Sequence, residues 1–428
     1  MSGEYHAMYE ELGMDVALHE QMVQSIHDSF ERCVLGQTGR PEGMAYFDSL
    51  VEAAHGSRVQ EVLDHKAAGG AFIGTFCIYV PDEVAWALGV LPLALCGGTG
   101  FSVPYAEARM PRDICPLIKS TLGMAFSGCC PFGGIKDMAV GETTCDAKKK
   151  TWDVMAAWGV NFHVMEVPQT KSERTEALWA AEVEDLRARL EELSGKGLQA
   201  EALTDAVRLM NRKRAALAEL HAFRAEQRPP ISGTDVLVIT QGALVDDPAR
   251  FGEQLEALND ELAERVAQDI SPVPEGARRI MVGGSPAVMG NWKLHHLIET
   301  SGGVVVADES CTGTRYFEHL VPEIEGDVDA QLAAIADRYF QIDCACFSPN
   351  AERMENVVRL AKQYRVEGVI QYVLQYCHGY NVEAINVAAA LDEIGVPSLT
   401  IETDYSEEDA GQLRTRIEAF MEMAPAGR

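Results

Sequence analysis

Apolar positions in residues 1–60 recur at helical spacing, through Tyr9, Leu12, Met14, Val16 and Leu18, then Met22, Ile26 and Phe30. With few strand signals among them, they predict an N-terminal helical cap. The pattern changes between 61 and 170, where short apolar runs alternate with amphipathic ones. Segments 71–80, 92–96 and 161–167 predict strands, and a helix over 82–88 opens behind Pro81. Residues 171–228 turn to Ala, Glu, Leu and Arg, broken once at 194–197. That is the pattern of two long helices joined by a short turn, with their charges on a solvated face, and Pro229 and Pro230 close the hairpin. Segment 232–245 fits strand and helix equally, and 246–270 reads as helix. Strands at 279–282, 304–307, 368–374 and 398–403 then alternate with helix-length segments. Such alternation predicts parallel sheets. The expected fold is α/β, with two Rossmann- or flavodoxin-like parallel-sheet domains at 61–170 and 276–428. A helical cap at 1–60 precedes them, and a helical hairpin with connecting helices at 171–275 lies between.

Length and charge narrow the function. A chain of 428 residues has material for two or three domains. Acidic residues outnumber basic ones 65 to 36, a formal charge of -29. A surface so negative repels phosphate backbones and anionic lipid, so neither nucleic acid nor membrane is the expected partner. The N-terminal stretch lacks the basic and apolar regions of a signal peptide, and no apolar run approaches the ~18 residues of a spanning helix. The expected location is the cytoplasm. Thiols stay reduced there, so the 11 cysteines point to metal ligation, redox chemistry or burial rather than a disulfide framework.

No CxxC pair occurs, which argues against zinc ribbons, ferredoxin-type loops and thioredoxin chemistry. Any metal is gathered from distant segments. Cys77, Cys115, Cys130, Cys145, Cys346 and Cys377 stand where strands should end and turns or helices begin, often beside proline. The carboxyl ends of parallel strands line one crevice, so these thiols can converge. Helix N-termini there are expected to lower thiol pKa and favour ligation. So many soft ligands select an iron-sulfur group ahead of zinc. Cys33 and Cys96 read as small core residues.

Lys148, Lys149 and Lys150 make a basic island after Cys145, either a solvated helix face or an offset to thiolate charge. The turn Val282-Gly283-Gly284-Ser285-Pro286 offers amides to a small ligand, yet matches neither GxGxxG nor the Walker pattern. ATP hydrolysis, if required, belongs to a partner. Glu142, Glu309 and His378 are the ionisable groups beside cysteine motifs and are candidate proton carriers. No hydrolase triad context or HExxH is present.

Several longer motifs occur in order along nearly the whole chain. They are Gly74-Thr75-Phe76-Cys77 with Pro81-Asp82-Glu83, PRDICPLIKS at 111–120, Cys130-Pro131-Phe132, GETTCDAKKK at 141–150, GSPAVMGNWKL at 284–294, ADESCTGTRYF at 307–317 and LQYCHGYN at 374–381. Together they resemble the 2-hydroxyacyl-CoA dehydratase and benzoyl-CoA reductase superfamily, and within it most the double-cubane-cluster proteins. The resemblance implies a homodimeric reductase of small molecules, in which two 4Fe-4S cubanes share a bridging sulfide. A separate ATP-dependent iron-sulfur reductase, or activator, supplies the electrons. Cys77, Cys115 and Cys377 match the superfamily's general cluster ligands. Cys130 and Cys145, with one of Cys344 and Cys346, would complete the set, and Cys311 lies inside a matching motif. The alternatives are a 2-hydroxyacyl-CoA dehydratase subunit with a single 4Fe-4S cluster, and a non-catalytic iron-sulfur carrier.

Overall fold

The computed structural model describes residues 3–423. Residues 1, 2 and 424–428, at the outer ends of the first and last expected units, lie outside the described residues. Two four-stranded parallel sheets carry an α/β two-domain fold. The first contains β1 (Ala71–Thr75), β2 (Val90–Ala94), β3 (Met138–Glu142) and β4 (Phe162–Met165), in the order β2-β1-β3-β4. The second contains β5 (Arg278–Gly284), β6 (Gly303–Glu309), β7 (Gly368–Leu374) and β8 (Ser398–Thr403), in the order β6-β5-β7-β8. Both follow the flavodoxin-type order, in which the chain reverses direction across the first strand and leaves a crevice at the carboxyl ends. β1, β3, β6 and β7 are buried along their whole length, as parallel strands covered on both faces must be.

The N-terminal helices His6–Glu11, Val16–Phe30, Met44–Ala53 and Ser57–Ala67 form the cap. Asp15 opens the second of them by accepting the Leu18 amide at 3.0 Å. The hairpin is Glu173–Ser194 and Ala200–Phe223, turned by Gly195 at φ +67, a left-handed position that suits glycine. Its second helix is no solvated rod. It packs against the helices Asp82–Ala87, Pro248–Ala267 and Val328–Phe340, and buries Asn211, Lys213, Arg214 and His221. Arg214 reaches Glu83 and donates to the Tyr339 hydroxyl at 3.0 Å, tying the hairpin to an element of each sheet's surroundings.

The ambiguous segment 232–245 is the helix Gly233–Gly242, buried at every position. β1 stops at Thr75, five residues short of its expected end, because the chain turns out of the sheet at Phe76 and Cys77. β3 is a strand that hydrophobic patterning did not single out. The two sheets meet closely where Gly98 faces the 288–289 loop. A β-carbon on Gly98 would stand 2.2 Å from the Met289 carbonyl, so only glycine permits the contact.

Candidate functional site

The carboxyl ends of the strands set the thiols. Cys77 lies just past β1, Cys96 past β2, Cys145 past β3, Cys311 past β6 and Cys377 past β7. Cys115 occupies the N-cap of the helix Pro116–Ser127, Cys145 that of Asp146–Ala157 and Cys377 that of His378–Asp392. Cys344 and Cys346 lie on the loop between the helices Val328–Phe340 and Ala351–Gln363. All eleven cysteines are free thiols, and eight of them line one cavity of about 460 Å³ between the two sheets: Cys77, Cys96, Cys115, Cys145, Cys311, Cys344, Cys346 and Cys377. The volume is that of a small-ligand site.

Cys130 is not among the lining residues. It caps the helix Pro131–Ile135 and packs with the apolar cluster of Met8, Tyr9, Phe72 and Phe132, where burial pushes its thiol up to about 11. Cys33 is buried in the core, as expected of a small core residue, whereas Cys96 reaches the cavity. Cys129 is enclosed, with Ser127 donating to its sulfur at 3.1 Å and its own thiol directed at Met22 Sδ, 3.3 Å away.

Helix N-termini do not lower these thiol pKa values as expected. Burial raises Cys115 despite the Leu117 and Ile118 amides, and pushes Cys377 up to about 12. An N-terminus offers partial charge only, and the dry wall outweighs it. Cys344 goes the other way, its pKa lowered because the Cys346 thiol donates to it and the Arg315 guanidinium and Tyr380 hydroxyl stand close. Tyr380 Oη lies 3.7 Å from Cys344 Sγ and receives Arg315 Nη1 at 2.7 Å.

Lys148 alone of the basic island turns inward. Its Nζ donates to the Phe76 carbonyl at 3.0 Å and to Glu142, while its amide meets Cys145 Sγ at 3.5 Å. Burial works against this charge, but the Cys77 thiol and Glu142 hold it well above the usual lysine range. Lys149 and Lys150 pair with Asp146 and Asp153 on the outside. Among the proton-carrier candidates, Glu142 is bound to Lys148 and Thr144, with its second oxygen buried and unpartnered. Glu309 is gripped by Arg315 and Arg353. His378 is exposed and lines the cavity.

Among the described residues, no three ligating side chains converge closely enough for a single metal ion. The fit to a cofactor lies in the donor set: soft thiols from both sheets, with an ammonium and a guanidinium against them to offset negative charge. No described helix is long and apolar enough to cross a membrane. Residues 77–424 match the family described as 2-hydroxyglutaryl-CoA dehydratase, D-component.

The chain belongs to that family.

Three relatives place it more closely. YjiM of Escherichia coli (strain K12), provisionally named a dehydratase subunit, is 38% identical over 89% of this chain and 98% of its own length. The beta subunit of (R)-2-hydroxyglutaryl-CoA dehydratase from Acidaminococcus fermentans is 25% identical over 84% of this chain and 93% of its own. A benzoyl-CoA reductase component from Thauera aromatica is 25% identical over 79% of this chain and 86% of its own. The superfamily read from the motifs is therefore the right one. For this dehydratase-family chain, the cavity adds residues that sequence reading did not single out: Cys96, the buried Lys213, and Tyr380, which Arg315 backs from behind the lining. A usable signal existed for the first, since Cys77, Cys96 and Cys311 each follow the last residue of a strand by two positions.

Proposed function

We propose that the chain is an iron-sulfur reductase of small molecules that holds a double-cubane cluster in the thiol-lined cavity. The observation that carries this reading is the gathering of eight cysteines from both halves around one cavity, more than the four thiolates that usually serve a single cubane. Cys77, Cys115, Cys145 and Cys377, with one of Cys344 and Cys346, are the proposed ligands. Cys311, whose side chain bonds to that of Cys77, takes the place expected for Cys130. When bound, such a cluster supplies low-potential electrons.

The chain's own groups supply the rest. Lys148 sets a fixed positive charge beside the first-sheet thiols, and Arg315 does the same through Tyr380 at Cys344. His378, at the cavity and open to water, carries protons between the two. The chain shows no phosphate-cradling motif, so an ATP-dependent iron-sulfur reductase delivers the electrons. The working form is a homodimer in a reducing compartment, the cytoplasm, which keeps the thiols available for ligation.

The names of the relatives favour a second reading, a 2-hydroxyacyl-CoA dehydratase subunit with one 4Fe-4S cluster. Anaerobic iron and sulfide analysis separates the two. About eight irons per chain are expected, two cubanes' worth, and about four would transfer the assignment to the dehydratase.

A further inference from the structure

One ammonium in the cavity is under-used by its surroundings. Lys213, on the helix Ala200–Phe223, is 4% exposed and lines the cavity. Its Nζ donates to one oxygen, the Ala243 carbonyl at 3.2 Å, and stands 5.2 Å from the centre of the Tyr316 ring. An ammonium has three donors, and lysine is almost never fully buried without a countercharge. The other deeply buried lysines obey that rule. Lys119 pairs with Glu107 at 2.9 Å, and Lys293 pairs with Asp409 at 2.8 Å while also reaching Thr403, Asp404 and Ser406. Lys213 forms no ion pair among the described residues. Asp82, on the same cavity, makes no ion pair with it and acts only across a longer gap; burial raises that carboxyl's pKa, and the Lys213 charge works against the rise.

The cavity lining next to the acceptor of Lys213 includes an apolar stretch. Its acceptor, Ala243, precedes Leu244, whose carbonyl takes the Ala94 amide at 3.2 Å and so straps this segment to the end of β2. Leu244, Val245, Trp86 and Pro92 thereby face the cavity together. An unpaired charge beside such a wall recognises an anionic head on a short apolar body.

We propose that Lys213 binds the carboxylate of a small substrate whose apolar part lies on Trp86, Pro92, Leu244 and Val245. The inference names the substrate class for the cavity assigned above and rests on that assignment. A volume of about 460 Å³, shared with whatever the thiols hold, restricts the ligand to a short chain.

The test is anaerobic calorimetry on the full-length protein with butyrate and with butyramide, its neutral counterpart of nearly equal shape. Wild type is expected to bind butyrate at least tenfold more tightly than butyramide. Lys213→Met should bind both alike, and Lys213→Arg should keep the preference. Equal binding by wild type, no butyrate binding, or a preference that survives in Lys213→Met would overturn the proposal. Should the methionine variant fail to fold, a butyrate-soaked wild-type crystal decides: the carboxylate belongs within hydrogen-bond distance of Lys213 Nζ, and any other location refutes the site. Iron analysis of the same sample keeps the two failures apart. An iron-free wild type removes the cluster assignment, while the butyrate preference still stands or falls alone.

Discussion

Arg353 closes on Glu309 as a two-pronged fork, Nε to Oε1 at 3.0 Å and Nη2 to Oε2 at 2.9 Å. Arg315 takes the first oxygen as well, and Glu383 holds the remaining nitrogen of Arg353. With both oxygens engaged in a dry site, Glu309 serves as a strut under the Cys344 wall, and its carboxylate has no freedom to exchange protons with a ligand.

Glu309→Gln should therefore act on stability. Breaking a buried ion pair by removing one partner costs about 3–5 kcal/mol; here Arg315 and Arg353 each lose one of two carboxylate partners and keep Asp343 and Glu383, so a loss near the lower end, about 3 kcal/mol, is expected. Chemical denaturation should show an unfolding free energy lowered by about that amount. A variant with wild-type stability and lost turnover would restore Glu309 to the proton path.

Acid sensitivity should centre on Asp308. Burial alone would raise its pKa, but Arg224 at 2.6 Å and His295 at 2.7 Å outweigh it and hold the carboxyl well below the usual range. Because the folded value is depressed, the stabilisation is complete above the unfolded pKa of about 3.9 and is lost as pH falls through the folded value. Asp308→Asn should destabilise the protein at pH 7 and flatten the dependence of unfolding free energy on pH in the acid range. A parallel acid limb in the variant would assign the effect elsewhere.

Ligand substitutions should separate the cavity cysteines from the rest. Cys77→Ser, Cys115→Ser and Cys377→Ser are expected to lose most cluster absorbance, since a hydroxyl replaces a soft thiolate poorly. Cys33→Ser and Cys130→Ser should keep it, both sulfurs standing away from the cavity. Full iron content in the first three variants would refute the ligand set.

Lys148 offers an electrochemical test. Cluster potentials follow local charge, so replacing the inward ammonium by an apolar chain should make reduction harder. Potentiometric titration of Lys148→Met is expected to show a midpoint lowered by at least about 59 mV, tenfold in a one-electron equilibrium. Lys149→Met, whose ammonium pairs with Asp146 outside, is the control. Equal midpoints in all forms would remove Lys148 from any electronic role.

Much of the architecture was legible because parallel sheets write themselves as short apolar runs spaced by helices. The runs at 304–307, 368–374 and 398–403 fall within β6, β7 and β8. The helix Gly233–Gly242 was not legible, since burial on every side erases the amphipathic period that distinguishes helix from strand. The hairpin misled for a related reason. Its charges look solvated in sequence, yet Arg214 and Lys213 point inward because Glu83 and the cavity receive them, and those partners lie more than a hundred residues away in the case of Glu83. Proline and cap context singled out Cys77, Cys115, Cys145 and Cys377, which the structure brings to one cavity. It also selected Cys130, whose local motif is equally suggestive but whose short helix faces the N-terminal cap.

The cavity draws on residues as far apart as Cys77 and Cys377, beside two separate sheets. Domains fold as units from the N-terminus as a chain is made. The early thiols therefore leave the ribosome and settle into their half while their counterparts are still unwritten. The cavity therefore exists only once the last strands have been made and the two halves have docked, which makes it a product of the finished fold and of neither half alone.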